Sequence, residues 1–442
     1  MNISELIKSS GVVGAGGAGF PTHVKVEAEI DTVIVNGAEC EPLLENDKWL
    51  LEKESKKVIK GLEYLIDACG ARRGVIALKQ KYKQPMIAIK KAIGKRKSVE
   101  VFELGDFYPA GDEFILVYEV TGRIVPEGGI PLKVGCLVDN VETVLNVYEA
   151  IENKRPVTRR WLTCTGEVEV PSVVNANIGV PLADVIDLCG GITVPDAAVV
   201  IGGPLMGSIE KDLQAPVTKT TTGIIVLPED HEIIRKKTIP VEFIIKLSKS
   251  VCCQCTYCTE MCPRYLIGHG LKPHLIMRQI NLGIDIPAHI IKNAFLCSEC
   301  GLCEVFACVM ELSPAIMNRS LKERLIKEGL TPHFPERKVE AREMKEYRKI
   351  PTSRIVQRLG LSAYREKPLR RGVKTDPERI ELLLKQHIGE VSVPIVKVGD
   401  KVQEGQPIAE IPEGCLGARV HSSISGMVTF CDDERVIIER QG

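Results

Sequence analysis

Reactive side chains concentrate between residues 252 and 308. The segment VCCQCTYCTEMCPRYL spaces its thiols as Cys252-x2-Cys255-x2-Cys258-x3-Cys262, followed by Pro263. A second segment, CSECGLCEVFAC, reads Cys297-x2-Cys300-x2-Cys303, with Cys308 one residue further out than its counterpart. A triplet of closely spaced thiolates lets the backbone wrap one iron-sulfur cubane, while the remote fourth cysteine belongs to the other cube. The two runs therefore imply each other and predict two 4Fe-4S clusters. Cys252, Cys255, Cys258 and Cys308 are assigned to one, and Cys297, Cys300, Cys303 and Cys262 to its neighbour. The rival reading is structural zinc, which takes four ligands, usually as two separated pairs. Two triplets plus two remote singles leave each zinc site with unused thiols. Cys253 is an extra thiol inside the first run, and Val309 stands where a proline follows the fourth cysteine of that run.

The elements that must position these thiols belong to a chain of 442 residues, enough for roughly two to four domains. Its 44% apolar content is ordinary for a chain that buries real cores. Lys+Arg and Asp+Glu are both 58, so no net field points to nucleic acid and no acidic excess points to disorder. MNISELIKSSG lacks the charged start and apolar core of a signal peptide, and no run reaches the length of a membrane helix. A cytoplasmic chain with no direct membrane insertion is expected. Its 16 cysteines then read as reduced thiols and metal ligands rather than disulfides. The scattered Cys40, Cys69, Cys136, Cys164 and Cys189 read as small buried residues.

GVVGAGGAGFPTHVKV, near the N-terminus, places Gly14, Gly16, Gly17 and Gly19 in one turn, removing side chains where a backbone must approach a phosphate or a ring. It satisfies G-x-G-x-x-G, but the strand that a dinucleotide fold needs before that loop is missing. Beyond it, TVIV (32–35), GVIALK (74–79) and SVEVFE (98–103) read as strands separated by helices near 43–69 and 84–95, the pattern of an α/β unit. FILVYEV (114–120) reads locally as a buried strand.

GAGGAGFPTHVK, VNGAECEP, GDEFILVYEVTG and DNVET resemble, in this order, motifs of the NADH- and FMN-binding flavoprotein subunit of respiratory complex I. With the two cysteine runs and the C-terminal module added, the whole chain resembles the family of the Rnf-complex C subunit and the cobalamin reductases of propanediol-utilisation microcompartments. By module order the reductases are nearer. The resemblance implies that Gly14, Gly16, Gly17 and Gly19 line FMN, with Phe20 retained for stacking and Lys25 near the phosphate or the nucleotide. It implies Asn36 and Glu39 at the isoalloxazine or ribityl chain, Glu113 on the nicotinamide side, and Asn140 and Thr143 at the phosphate end. It also implies a helix over 114–120, against the local pattern. Ala38 replaces an acidic residue, Cys40 a serine, and Ala28 a second stacking aromatic, so the match carries FMN more firmly than NADH.

The remaining segments complete a multidomain α/β and α+β chain. Residues 1–152 are the complex I flavoprotein-like α/β domain. Residues 155–240, with WLTCTGEVEVPSVVNANIGVPLADVIDLCGGI, resemble the SLBB β-grasp module, and IGGPLMG (201–207) reads as a packing turn. Residues 245–330 form a ferredoxin-like helical dicluster domain in which His269 and His274 read as helix-surface residues. Residues 331–380 are a basic linker with a short helix at SRIVQRLGL. Residues 381–442 resemble lipoyl carriers, but Cys415 occupies the acceptor-lysine position, leaving a structural barrel-sandwich hybrid. The functional expectation is an NADH-dependent oxidoreductase passing electrons through FMN and two 4Fe-4S clusters to a corrinoid cofactor or a redox partner protein. The alternative is an electron-transfer subunit of a ferredoxin:NAD oxidoreductase or other multi-subunit membrane complex. Enclosure in a microcompartment or attachment to the inner membrane face are the matching locations.

Overall fold

A computed structural model describes residues 2–282, 288–335 and 337–441. The first domain is built on a parallel sheet of β1 (Thr32–Gly37), β2 (Arg73–Lys79), β3 (Val99–Leu104) and β4 (Cys136–Asn140), in the order β3-β2-β1-β4. Both faces must be covered, because its strands are near-continuous apolar runs. Helices Ser55–Cys69 and Val141–Glu152 cross on one face so closely that a Cβ at Gly61 would lie 2.2 Å from the Val144 carbonyl oxygen. Glycine is required there.

FILVYEV is a helix, Glu113–Thr121, and lies against the other face. Local caps decide the matter that periodicity left open. The Asp112 carboxylate accepts from the Phe114 and Ile115 amides, and Gly122 closes the helix at φ +71°.

The next module is a six-stranded sheet in the order β10-β6-β5-β9-β7-β8 with helix Leu182–Leu188 packed on it. Its strands are β5 (Arg159–Gly166), β6 (Ser172–Asn177), β7 (Ala197–Ile201), β8 (Ser208–Glu210), β9 (Gly223–Pro228) and β10 (Arg370–Lys374). Strand β10 comes from the basic segment, which lies against the body as a strap. Arg337 pairs with Glu127 at 2.7 Å, Lys349 with Glu119 at 2.9 Å, Arg348 with Glu260 at 3.3 Å, and Lys345 is buried against Glu119. The expected helix forms as Thr352–Arg358, and its Ile355 and Val356 join a core that also holds Tyr108, Leu205 and Cys300.

The cysteine runs sit among short helices that include Val241–Val251, Pro273–Leu282 and Pro314–Lys327. His269 departs from expectation: it is fully buried in a loop, hydrogen-bonded to the Val125 carbonyl at 2.9 Å and edge-on to Phe114. His274 is half-buried at the start of helix Pro273–Leu282. The C-terminal domain pairs Arg379–Leu383, Arg435–Glu439, Gly426–Cys431 and Lys401–Val402 in one sheet and stacks three short strands in another. Cys415 lies exposed in the turn between Pro407–Glu410 and Val420–His421. Among the described residues no helix is long and apolar enough to cross a membrane.

Candidate functional site: two thiol sets and a sheet-end switch point

The two cysteine runs fold alike. In each, the residue before the second cysteine and the residue after it share a left-handed turn: Gln254 at φ +55° and Glu299 at +58°, Thr256 at +67° and Gly301 at +72°. Reversing the chain there turns backbone amides inward toward the thiols, as in an anion-binding nest. Glu299 N–H donates to Cys297 Sγ at 3.4 Å, and Leu312 N–H to Cys308 Sγ at 3.3 Å. The extra residue before Cys308 is absorbed as a π turn, Cys303–Ala307, in which Cys308 N–H reaches the Cys303 carbonyl at 2.9 Å.

The structure gathers the eight thiols as two sets. Cys252, Cys255, Cys258 and Cys308 line one recess together with Cys253 and His274. Burial pushes the Cys258 thiol up to about 12, and Cys308, Cys255 and Cys252 add to it. Burial likewise raises Cys303, with Cys297, Cys300 and Cys262 among the contributors. Crowded, desolvated thiols of this kind are stable as thiolates only against strong positive charge, and an all-sulfur donor set suits iron-sulfur clusters. Among the described residues no three His, Cys, Asp or Glu side chains close on a single-ion site.

The sets differ in exposure. Cys262 and Cys300 are buried, whereas Cys253 and Cys255 are exposed, next to the open Tyr257, Val309 and Met310. The inner set touches the first domain through Tyr108, whose hydroxyl donates to the Cys300 carbonyl at 2.7 Å and lies 3.1 Å from Glu41. Glu41 in turn accepts from the Leu205 amide at 2.9 Å. The IGGPLMG turn is therefore a packing element that seats a half-buried carboxylate.

β1 and β4 are neighbours and end side by side. The chain leaves β1 toward β2 and β3 on one side and returns as β4 on the other, the topological switch point at which open α/β sheets bind ligands. At the end of β1, Asn36 donates to the Gly111 carbonyl at 2.9 Å, and Glu39 holds a left-handed φ of +35° while accepting from the Asp47 amide at 2.9 Å. At the end of β4, Asn140 caps helix Val141–Glu152 and donates to Asp47 at 2.7 Å.

The glycine loop lies across these ends. The Ala15 amide donates to Thr143 Oγ1 at 2.9 Å, a Cβ on Gly16 would lie 3.0 Å from Asn140, and a Cβ on Gly17 would meet nothing within 4 Å. Lys25 bonds Asp139 and the Val138 carbonyl, both at 2.9 Å, and its ammonium lies 6.0 Å from the Phe20 ring centre. Burial opposes that charge, but Asp139 and Glu113 outweigh it and hold the ammonium above its ordinary range. Glu113 is solvent-accessible, yet desolvation, offset in part by Lys25, keeps its carboxyl raised.

These residues fit FMN. Asp47 Oδ1 and Asp139 Oδ2 are buried without a partner and can accept from polyol hydroxyls, while bare glycine backbone and a helix N-terminus suit a phosphate. Asp47 and Asp139 escaped the sequence reading because each looks like an ordinary helix-start or strand-end acid. Burial raises the carboxyls of both Glu39 and Asp47 well above the usual range.

Comparison with known proteins settles the affiliation. Residues 7–149 match the Nuo51 FMN-binding domain, 162–208 the SLBB domain, 251–313 the 4Fe-4S dicluster domain and 365–441 the RnfC barrel sandwich hybrid domain. The cobalamin reductases PduS of Citrobacter freundii and Salmonella typhimurium are each 42% identical over 441 residues, covering 99% of this chain and 96% of theirs. The chain belongs to the PduS family. It is also similar to the C subunit of the Na(+)-translocating ferredoxin:NAD(+) oxidoreductase complex of Acetobacterium woodii. That match is 36% identical over 269 residues, 60% of this chain and 58% of the relative. With FMN-binding and dicluster domains in one PduS-family chain, the protein is a flavo-iron-sulfur oxidoreductase of electron transfer. The expected order of modules, including the barrel sandwich, is the order found.

Proposed function

We propose that the chain oxidises NADH and delivers the electrons to a corrinoid, as the name of its PduS relatives suggests. FMN, when bound, takes two electrons as a hydride and releases them singly, and each 4Fe-4S cluster carries one at a time. No side chain is needed as acid or base; the protein's work is placement.

In this reading Gly14, Gly16, Gly17 and Gly19 form the flavin cradle, and Asn36, Glu39, Asn140 and Thr143 fix the flavin. Phe20, Lys25 and Glu113 face the dinucleotide. Cys262, Cys297, Cys300 and Cys303 hold an inner cluster, and Cys252, Cys255, Cys258 and Cys308 an outer one. The observation that carries the reading is the gradient of exposure. One thiol set, with Cys262 and Cys300 buried, is joined by Tyr108 to the domain that holds the ends of β1 and β4, and the other, with Cys255 exposed, offers a face that an acceptor can approach. The ion pairs that consume the charge of the strap favour a small acceptor or an apolar docking face over an acidic carrier. Enclosure in a microcompartment is part of the same proposal.

The test is anaerobic NADH-dependent reduction of cobalamin by the isolated chain, followed by the visible spectrum. Reduction is expected at saturating NADH, since Ala28 offers the dinucleotide no second aromatic. Flavin bleaching that reaches cobalamin only with added membrane partners would move the chain to the role of the C subunits. Absence of flavin bleaching at every NADH concentration would sink NADH as donor.

A further inference from the structure

We propose that the C-terminal barrel-sandwich domain is a clamp that holds the glycine-rich loop in its flavin-binding shape, with Lys219 as the positioning residue. The inference rests on Gly14–Gly19 being the flavin loop.

Both ends of the loop are fixed on this domain. At one end, Ile388 N–H donates to the Gly19 carbonyl at 3.2 Å. Gly19 adopts φ +77°, and a Cβ there would lie 3.0 Å from the Gln386 carbonyl oxygen and from His387 Cα. At the other end, Gly11 adopts φ +64°, and its Cβ would lie 2.5 Å from the Arg419 carbonyl oxygen. The backbones touch.

Lys219, on the SLBB loop, ties the pieces together. Its Nζ donates to the Gly11 carbonyl at 2.8 Å and to the Arg419 carbonyl at 2.6 Å, and its amide donates to Gln386 Oε1 at 2.9 Å. It is buried, and among the described residues no carboxylate pairs with it. Burial holds its amine down to about 7.

The centre of the loop faces elsewhere. Ala15 is held through its amide by Thr143 and through its carbonyl by Arg160 at 2.7 Å, while Gly16 and Gly17 stay exposed. A free glycine-rich loop would have to be ordered by its ligand, and that ordering would be subtracted from affinity. Anchoring both ends removes the requirement, which gives a carrier-like domain without an acceptor lysine a use.

The test takes the full-length chain, anaerobically purified and stripped of flavin, and follows FMN binding by quenching of its free fluorescence. Lys219→Met and Gln386→Ala are expected to weaken FMN at least tenfold with iron content unchanged, while Lys219→Met, which leaves two buried carbonyls without their donor, also lowers the melting temperature of the flavin-free chain. Cys415→Ala, at the exposed tip of the same domain, should bind FMN like the parent. FMN affinity within twofold of the parent in both single variants would overturn the clamp, as would iron content falling in step with affinity. Gly16→Leu separates the underlying reading: if it keeps FMN, the flavin loop itself is misassigned, whereas loss of FMN there with retention in the clamp variants refutes the clamp alone.

Discussion

The inner and outer thiol sets share a ligand spacing and a pair of left-handed turns, yet their surroundings differ. Around the inner set, Cys262 and Cys300 are 8% and 9% exposed, and Tyr108 links the loop to the flavin-binding domain. Around the outer set, Cys255 is exposed and Val309 is 57% exposed. Part of the difference is one residue of chain. Pro263 follows Cys262 and starts helix Pro263–Leu266 at once, sealing the inner set. After Cys308 no helix begins until Pro314, so Val309 and Met310 remain open. Cluster potentials span roughly −700 to +450 mV with charge, hydrogen bonding and exposure, so identical ligands in these two settings serve as different stations.

Removing one triplet ligand from each set gives the largest expected effect. The parent should hold about eight irons per chain. Cys303→Ser should lose the inner cluster and stop electron flow from NADH to every acceptor. Cys258→Ser should lose the outer cluster while leaving flavin reduction intact and small artificial acceptors partly served. Iron analysis with stopped-flow flavin bleaching reads both; equal losses in the two variants would erase the proposed division of roles.

The remote cysteines sharpen the comparison. Cys262 lies in the first run but is gathered with the inner set, and Cys308 lies in the second run but is gathered with the outer. Paramagnetic resonance of reduced Cys262→Ser should show the inner signal altered, and Cys308→Ser the outer. The reverse result would mean that each run closes on its own cluster.

A smaller effect is expected at the link. Tyr108→Phe leaves the Cys300 carbonyl without a donor and takes one donor from the half-buried Glu41, which keeps the Leu205 amide, at a cost of about 1–3 kcal/mol. Thermal unfolding should fall accordingly, and the inner potential should shift while the outer stays. Parallel shifts in both would show that Tyr108 acts on the whole domain.

The ligand runs were legible because cluster binding is written in local spacing, and the module order because each module carries local motifs. Neighbours distant in sequence were hidden. Tyr108 and Cys300 are 192 positions apart, and nothing around either announces the bond. The strap shows its charge in sequence, but its acids lie in other domains, so it reads as a linker. His269 looked like a helix-surface residue until the packing of Phe114 and the Val125 carbonyl buried it. FILVYEV shows the converse, a short run whose caps at Asp112 and Gly122 outweigh a strand-like composition.

The smallest effect concerns Cys253. In the outer run a second thiol follows Cys252, whereas the inner run has Ser298 at the matching place. Cys253 is exposed and lies near enough to Cys255 for the two thiols to hydrogen-bond. With Cys255 as the proposed ligand and Cys253 as a spare thiol, Cys253→Ala should change neither iron content nor activity measurably. The spare thiol should appear once Cys255 is lost. Cys255→Ser should keep an outer cluster with a changed resonance signal, Cys253 moving in as ligand, and the double variant Cys253→Ala/Cys255→Ser should lose it. Cys300→Ser has no neighbouring thiol and should lose the inner cluster outright. A solvent-facing loop can rearrange around a substitute ligand, while a loop pinned by Tyr108 cannot, so ligand exchange confined to the outer set would tie the difference in exposure to a difference in plasticity. Retention of the inner cluster in Cys300→Ser would break that link.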